Sequence, residues 1–222
     1  MAAAREPGSF RLVATLALTG LISGLLLVGV YLLTQPRILR NQAEALYAAI
    51  FRVLPGTVEI KTYVVRDNEL VYFEAPEGRL PTEQAVFAGH REDGSLVGYA
   101  VPADGPGFMD TIKLIYGYDP SRRVIVGMQV LDSRETPGLG DKIITDPGFH
   151  QNFEALAIEP EIVAVKKGKK EQPNEVDCIT GATISSEAVV GILNKSSHQW
   201  APLLVSPEET SEVSQHVAPS QP

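Results

Sequence analysis

The sequence of 222 residues contains one cysteine, Cys178. A lone thiol excludes an internal disulfide, and the absence of cysteine pairs at zinc or iron–sulfur spacing removes any metal framework. Cys178 reads as a small buried hydrophobe and leaves the redox compartment open. Histidine is also scarce. His90, His150, His198 and His216 are scattered, and no Ser-His-Asp or Cys-His arrangement suggests hydrolysis. The chain has no P-loop and no internal repeat. Positive charge is in deficit, with 19 Lys and Arg against 27 Asp and Glu and a formal net charge of −8, so the basic face that a nucleic acid requires is missing. The basic cluster Lys166, Lys167, Lys169 and Lys170 is either a solvated turn or a docking patch for an acidic partner protein.

Charge of either sign is absent from residues 12–33, which are dominated by Leu, Val, Ile, Ala and Gly. About 22 residues at 1.5 Å each give roughly 33 Å, enough to cross a hydrocarbon core. A cleaved signal peptide is the rival reading. The apolar run is longer than a signal core, and Gln35-Pro36-Arg37 is not a small-residue cleavage site. Arg5 and Arg11 before the span balance Arg37 and Arg40 after it, so counting basic residues leaves the orientation open. Ile38, Leu46, Ile50 and Phe51 lie close to a helical stripe, which predicts an amphipathic helix following a break at Pro36.

Without the span and the tail, about 170 residues remain, the size of one globular domain. Short alternating segments at 58–65, 69–73, 84–89, 96–101, 111–116 and 124–131 are separated by Asp67-Asn68, Asp93-Gly94 and Asp119-Pro120-Ser121, which predicts a mostly antiparallel sheet. Helices are expected at 149–156 and 185–200, with a strand at 162–165. The class is α+β. The expected organisation is an N-terminal cytoplasmic segment 1–11, a transmembrane helix 12–33, a linker helix 34–57, one domain 58–204, and a disordered tail 205–222 rich in Ser, Glu, Pro and Gln.

Two segments carry candidate chemistry. Residues 177–186, Asp-Cys-Ile-Thr-Gly-Ala-Thr-Ile-Ser-Ser, lead from a polar turn at 174–177 into a helical pattern with Val189, Val190, Ile192 and Leu193. Unpaired N–H groups and the positive dipole end favour a phosphate at such a helix start, and Thr180, Thr183, Ser185 and Ser186 add hydroxyls. Gly181 and Ala182 add no bulk. Ser and Thr are equally common as plain N-caps. Residues 135–140, Glu-Thr-Pro-Gly-Leu-Gly, form a tight turn, because Pro137 fixes φ and Gly138 and Gly140 permit positive φ. This segment too can be a purely structural turn.

The string Asp177, Thr180, Gly181, Ala182, Thr183 resembles the flavinylation motif of the FMN-binding domain of bacterial respiratory complexes, and residues 135–140 are similar to a second signature of that domain. The resemblance extends over about residues 12–200. It points to two forms of the domain, the G subunit of the Rnf ion-translocating complex and the C subunit of the sodium-translocating NADH:quinone reductase. A third family segment corresponds to residues 105–110, where Met109 and Asp110 replace the small glycines of many relatives.

The resemblance implies that a flavin transferase, recognising Asp177, uses FAD to link FMN through a phosphodiester to Thr183. It implies further cofactor contacts from Thr180, Gly181, Ala182, Glu135, Thr136, Gly138, Leu139 and Gly140, with Glu135, Thr136 and Leu139 approaching the isoalloxazine ring. It also implies a bacterial inner-membrane protein with its flavin domain on the periplasmic side. Such a chain would relay electrons among other membrane, iron–sulfur and flavin subunits of a ferredoxin:NAD-type translocase, without a catalytic residue of its own. The alternatives are the C subunit of the quinone reductase and a membrane-anchored periplasmic scaffolding protein without flavin.

Overall fold

The computed structural model describes residues 9–66, 69–74, 81 and 83–204. The expected tail at 205–222 and the Asp67-Asn68 turn lie outside the described residues. The chain divides into two compact units, residues 1–43 and 44–222.

The first unit is occupied by helix α1, Ser9–Val53, whose last turns belong to the second unit. Its apolar side chains are exposed, among them Leu16, Leu25 and Leu33. A helix that is apolar on all sides with no protein core of its own suits lipid, and this one is long and apolar enough to cross a membrane. Its threonine hydroxyls are turned back on the helix: Thr15 Oγ1 donates to Arg11 O at 2.9 Å and Thr34 Oγ1 to Val30 O at 2.9 Å, so neither is left unpaired in an apolar medium. The helix continues through Pro36, so the expected break is not present.

In the second unit the end of α1 buries Leu46, Ala49, Ile50 and Val53, a three-four spacing along one face. These pack with Leu54, Phe87, Ala100 and Ile115 on one side of the sheet. Ile38 and Phe51, expected in the stripe, are exposed.

Among the described residues the sheet has seven strands in the order β2-β1-β3-β4-β5-β6-β7, all antiparallel: β1 Glu59–Arg66, β2 Glu69–Tyr72, β3 Ala85–His90, β4 Leu96–Pro106, β5 Thr111–Asp119, β6 Val124–Asp132 and β7 Leu156–Ala157. β4 and β5 are longer than their alternation predicts: the pairs Gly105↔Ile112 and Pro106↔Thr111 carry β4 up to the hairpin tip, and the pairs Ala100↔Gly117 and Tyr99↔Tyr118 carry β5 beyond Tyr116 at the other end. On the face opposite α1, Ile112, Leu114, Tyr116, Val130 and Ile125 join Val189, Val190, Ile192 and Leu193 of helix α4, Thr183–Trp200. There the buried Tyr116 hydroxyl shares a hydrogen bond of 3.0 Å with Ser196 Oγ, which satisfies both groups.

Two expectations for the connecting segments are corrected. The helix predicted at 149–156 is α3, Pro147–Gln151, started by Asp146, whose side chain accepts from Phe149 N. It follows the one-turn helix α2, Lys142–Thr145. Leu156 instead extends the sheet as β7. The polar turn at 174–177 is largely strand β9, Glu175–Asp177, paired in parallel with β8, Val163–Val165. α4 also starts at Thr183, two residues earlier than its apolar period indicates, because the period marks only buried positions.

Candidate functional site

Three loops meet at one end of the sheet. The first is the β4–β5 tip, where Gly107 N donates to Asp110 O at 2.9 Å and closes a tight turn. Asp110 stabilises the tip further: its Oδ1 accepts from Thr111 N at 2.7 Å and its Oδ2 lies 3.5 Å from Arg134 Nη1. Phe108 and Met109 are left exposed at 57% and 64%. Residues 105–110 therefore form an ordered turn with two apolar side chains on its surface.

The second loop follows β6. Leu139 N and Asp141 N both donate to Thr136 O, at 3.1 and 3.3 Å, folding residues 136–141 back before α2. Gly138 has φ of 76°, as the turn requires. Gly140 does not have positive φ, and its need for glycine is different. A Cβ there would lie 2.7 Å from Ser185 Oγ and 2.8 Å from Glu135 Oε2.

Glu135 is the centre of the arrangement. It is 5% exposed. Oε1 accepts from Phe108 N at 2.8 Å and Met109 N at 3.0 Å, and Oε2 accepts from Ser185 Oγ at 2.5 Å. Three donors compensate the desolvation of a buried carboxylate. A Cβ on Gly107 would meet Oε1 from the other side, so two glycines leave room for one acid.

The third element is the start of α4. Ser186 Oγ accepts from Ile179 N at 3.1 Å and donates to Ala182 O at 2.9 Å, bracing the turn that contains Gly181, with φ of 84°. The N-cap position is Ala182 and makes no side-chain cap bond. Thr183, the first helical residue, is exposed, and its hydroxyl has no hydrogen-bond partner among the described residues. An uncapped first turn with a free hydroxyl is suited to holding an anion.

Together these loops enclose a cleft of about 320 Å³. Of the sequence-predicted residues, Glu135, Thr136, Leu139, Gly140, Gly181, Ala182 and Thr183 line it. Thr180, Gly138 and Asp177 do not. Asp177 faces the other way: its Oδ1 accepts from Lys169 N and Lys170 N at 3.1 Å each, and its own N–H donates to Asn152 Oδ1 at 3.0 Å. It therefore closes the basic turn, whose lysines 167, 169 and 170 are exposed. Phe108, Ile184 and Ser185 also line the cleft, and sequence reasoning did not select them as contacts. Ser185 was visible only as one hydroxyl in a run. Phe108 is brought in by the strand pairing across β4 and β5. A larger groove of about 510 Å³, lined by Pro102, Lys113, Ile192 and Trp200, holds none of the motif residues, so size does not locate the site.

The cleft fits FMN on three counts. Phe108, Leu139 and Ile184 are exposed apolar walls for a flat ring, the Thr183 hydroxyl at the start of α4 is unengaged among the described residues, and the volume lies within the range of small-molecule sites.

Comparison with known proteins bears on the same region. The sequence profile of the FMN-binding domain matches residues 107–197, which include all three loops. The chain is 32% identical over 146 residues to the G subunit of the Na(+)-translocating ferredoxin:NAD(+) oxidoreductase complex of Acetobacterium woodii, covering 65% of this chain and 68% of that protein. The chain belongs to the G-subunit family of ion-translocating oxidoreductase complexes. Another member, the G subunit of the ion-translocating oxidoreductase complex of Methanosarcina acetivorans, is 28% identical over 191 residues, covering 84% of this chain and 91% of that one. The crystal structure of the C subunit of the Na(+)-translocating NADH-quinone reductase of Parabacteroides distasonis shares the fold, with a TM-score of 0.54 and 25% identity over 68% of this chain and 79% of that one. This G-subunit homologue thus combines a long apolar helix with a mostly antiparallel FMN-binding domain flanked by helices.

Proposed function

We propose that this chain is an electron-relay subunit of a membrane-bound, ion-translocating oxidoreductase of the ferredoxin:NAD type, and that it carries FMN joined through a phosphodiester to Thr183. One observation carries the reading: an exposed threonine with an unengaged hydroxyl opens α4 inside a cleft shared with the 135–140 turn. Membership of the G-subunit family supports the redox role, and the FMN-binding domain supports the cofactor.

Attachment needs a flavin transferase and FAD. Thr183 Oγ1 attacks the FMN-side phosphorus, the new P–O bond replaces the bond to the second phosphate, AMP leaves, and the hydroxyl proton passes to a base on the transferase. Once bound, FMN supplies one- or two-electron transfer. The chain's own residues then tether and orient it: Thr183 holds the phosphate, the first turn of α4 stabilises its charge, and Phe108, Leu139 and Ile184 shield the ring. No acid or base on this chain is required. Covalent attachment keeps the cofactor from being lost and fixes its distance to redox centres on the iron–sulfur and flavin subunits of the same complex.

In this reading residues 12–33 span the bacterial inner membrane once, 34–57 link, and the flavin domain at 58–204 lies on the periplasmic side. Asp177 supports recognition by the transferase through the turn it closes, since its carboxylate is engaged by Lys169 and Lys170 rather than by the cleft.

The full chain co-expressed with a flavin transferase should give a fluorescent band on a denaturing gel, and Thr183→Ala should give none. Fluorescence that survives in Thr183→Ala overturns the attachment site. The second reading is the C subunit of the quinone reductase, favoured by the shared fold of its structure. Co-purified proteins decide between them: ferredoxin-type iron–sulfur subunits support the first and quinone-reductase subunits the second.

A further inference from the structure

Among the described residues Glu135 is the one carboxylate that lines the cleft, and the hydrogen bonds it accepts come from elements that shape it. Phe108 N and Met109 N belong to the β4–β5 tip, and Ser185 belongs to the first turn of α4. Among the described residues no Lys, Arg or His makes an ion pair with it. Its negative charge is therefore held by neutral donors and not cancelled by a cation. It is also buried, so solvent screens it little.

We propose that Glu135 is the positioning residue of the flavin cleft and that its carboxylate lowers the reduction potential of the flavin bound there. The proposal rests on the FMN reading and assigns this side chain a role apart from ring contact. By tying the tip to α4 it sets the width between the Phe108 wall and Thr183. By adding an uncompensated charge to the lining of the cleft it would oppose the arrival of electrons on a flavin held there, because a nearby like charge disfavours the more negative state.

The side-chain chemistry allows the two roles to be separated. In Glu135→Gln the amide oxygen still accepts from Phe108 N and Met109 N. The amide nitrogen donates to Ser185 Oγ, because a serine hydroxyl can reverse its role. The shape is kept and the charge is lost. In Glu135→Ala both are lost, and the part-buried N–H groups of Phe108 and Met109 lose their acceptor.

The experiment uses the full chain, co-expressed with a flavin transferase, with loading read by in-gel fluorescence and the midpoint potential read by redox titration of the visible flavin spectrum. Glu135→Gln should load as wild type does and shift the potential upward. Glu135→Ala should load to a small fraction of wild type while retaining a cooperative thermal transition. A potential unchanged in loaded Glu135→Gln overturns the proposal and leaves the FMN reading intact, as does full loading of Glu135→Ala. A wild-type chain without covalent flavin overturns the FMN reading itself and this proposal with it.

Discussion

Ser185 Oγ donates to Glu135 Oε2 at 2.5 Å, joining the first turn of α4 to a loop fifty residues earlier in the chain. Both groups are buried, and the bond closes the cleft from within. The fit around it is tight enough that glycine on either side of the carboxylate is a steric requirement.

Gly107→Ala and Gly140→Ala should therefore each destabilise the domain by about 1–3 kcal/mol, the usual cost of overpacking. In both cases the new methyl meets Glu135, and at Gly107 it also meets the backbone oxygen of Asp110. Gly191, inside α4 with open space where a Cβ would stand, is the control. Gly191→Ala should be stabilising by ~0.5–1 kcal/mol because glycine is entropically costly in a helix. Urea unfolding followed by circular dichroism measures all three, and equal effects at 107, 140 and 191 would refute the steric account.

Asp177→Ala removes the acceptor for Lys169 N and Lys170 N. These amides should lose protection in hydrogen exchange while α4 amides keep theirs, since the turn is exposed and opens locally. If flavin loading falls in the same variant, the basic turn and not the cleft is what the transferase misses. Asp177→Asn retains one acceptor oxygen and should recover much of the protection.

Thr180 is exposed, and its side chain makes no hydrogen bond among the described residues. Thr180→Ala should leave the melting temperature essentially unchanged, as surface substitutions do, within about 0.5 kcal/mol. Flavin loading of the same protein is the informative measurement. Impaired loading at unchanged stability assigns Thr180 to transferase recognition, and normal loading makes it a plain turn residue.

Burial raises Tyr116 well above the ordinary phenol value, outweighing the opposing hydrogen bond from Ser196. An unfolded tyrosine titrates near pH 10. Because the folded value is the higher one, the stability linked to this group is fully present below about pH 10 and is lost as pH rises toward the folded value. Tyr116→Phe should cost about 0.5–1.5 kcal/mol at neutral pH through its hydrogen bond, and its stability should fall less steeply above pH 10. Parallel alkaline slopes for wild type and variant would contradict this. Tyr118 and Tyr99, also raised mainly by burial, keep part of the slope in both proteins.

Cys178 is 4% exposed, and burial pushes its thiol up, helped by the negative charges of Glu187 and Asp177. The thiolate is the reactive form. A thiol-reactive dye at neutral pH should label the folded protein slowly and the urea-unfolded protein rapidly. Rapid labelling of the native state would show that the segment between β9 and α4 opens readily.

The apolar span, the strand alternation and the two signature turns were legible in the amino-acid sequence because each is local: an uncharged run, a period of two, or a Pro and Gly placed within a few residues. Thr183 was legible locally only as one of several hydroxyls at a helix start, and the resemblance to the flavinylation motif singled it out. The helix limits were less legible. α4 begins before its first buried apolar residue, and the segment at 149–156 divides between α3 and β7, since a short run with both helical and strand character is decided by what it packs against.

The sequence by itself determined that this chain has a membrane-length helix and an α+β domain with two motifs that resemble those of an FMN-binding domain. The tertiary structure decided where the residues of those motifs point. Asp177 and Thr183 are neighbours in one motif, yet one closes the lysine turn and the other faces the cleft. Glu135 belongs to a turn motif, yet it serves as the anchor joining the β4–β5 tip to α4. Gly140 is glycine for want of room and not for its backbone angle. Each of these depends on close approach between residues tens of positions apart. Such contacts follow no period along the chain, so they exist only once the sheet has set the register of its loops.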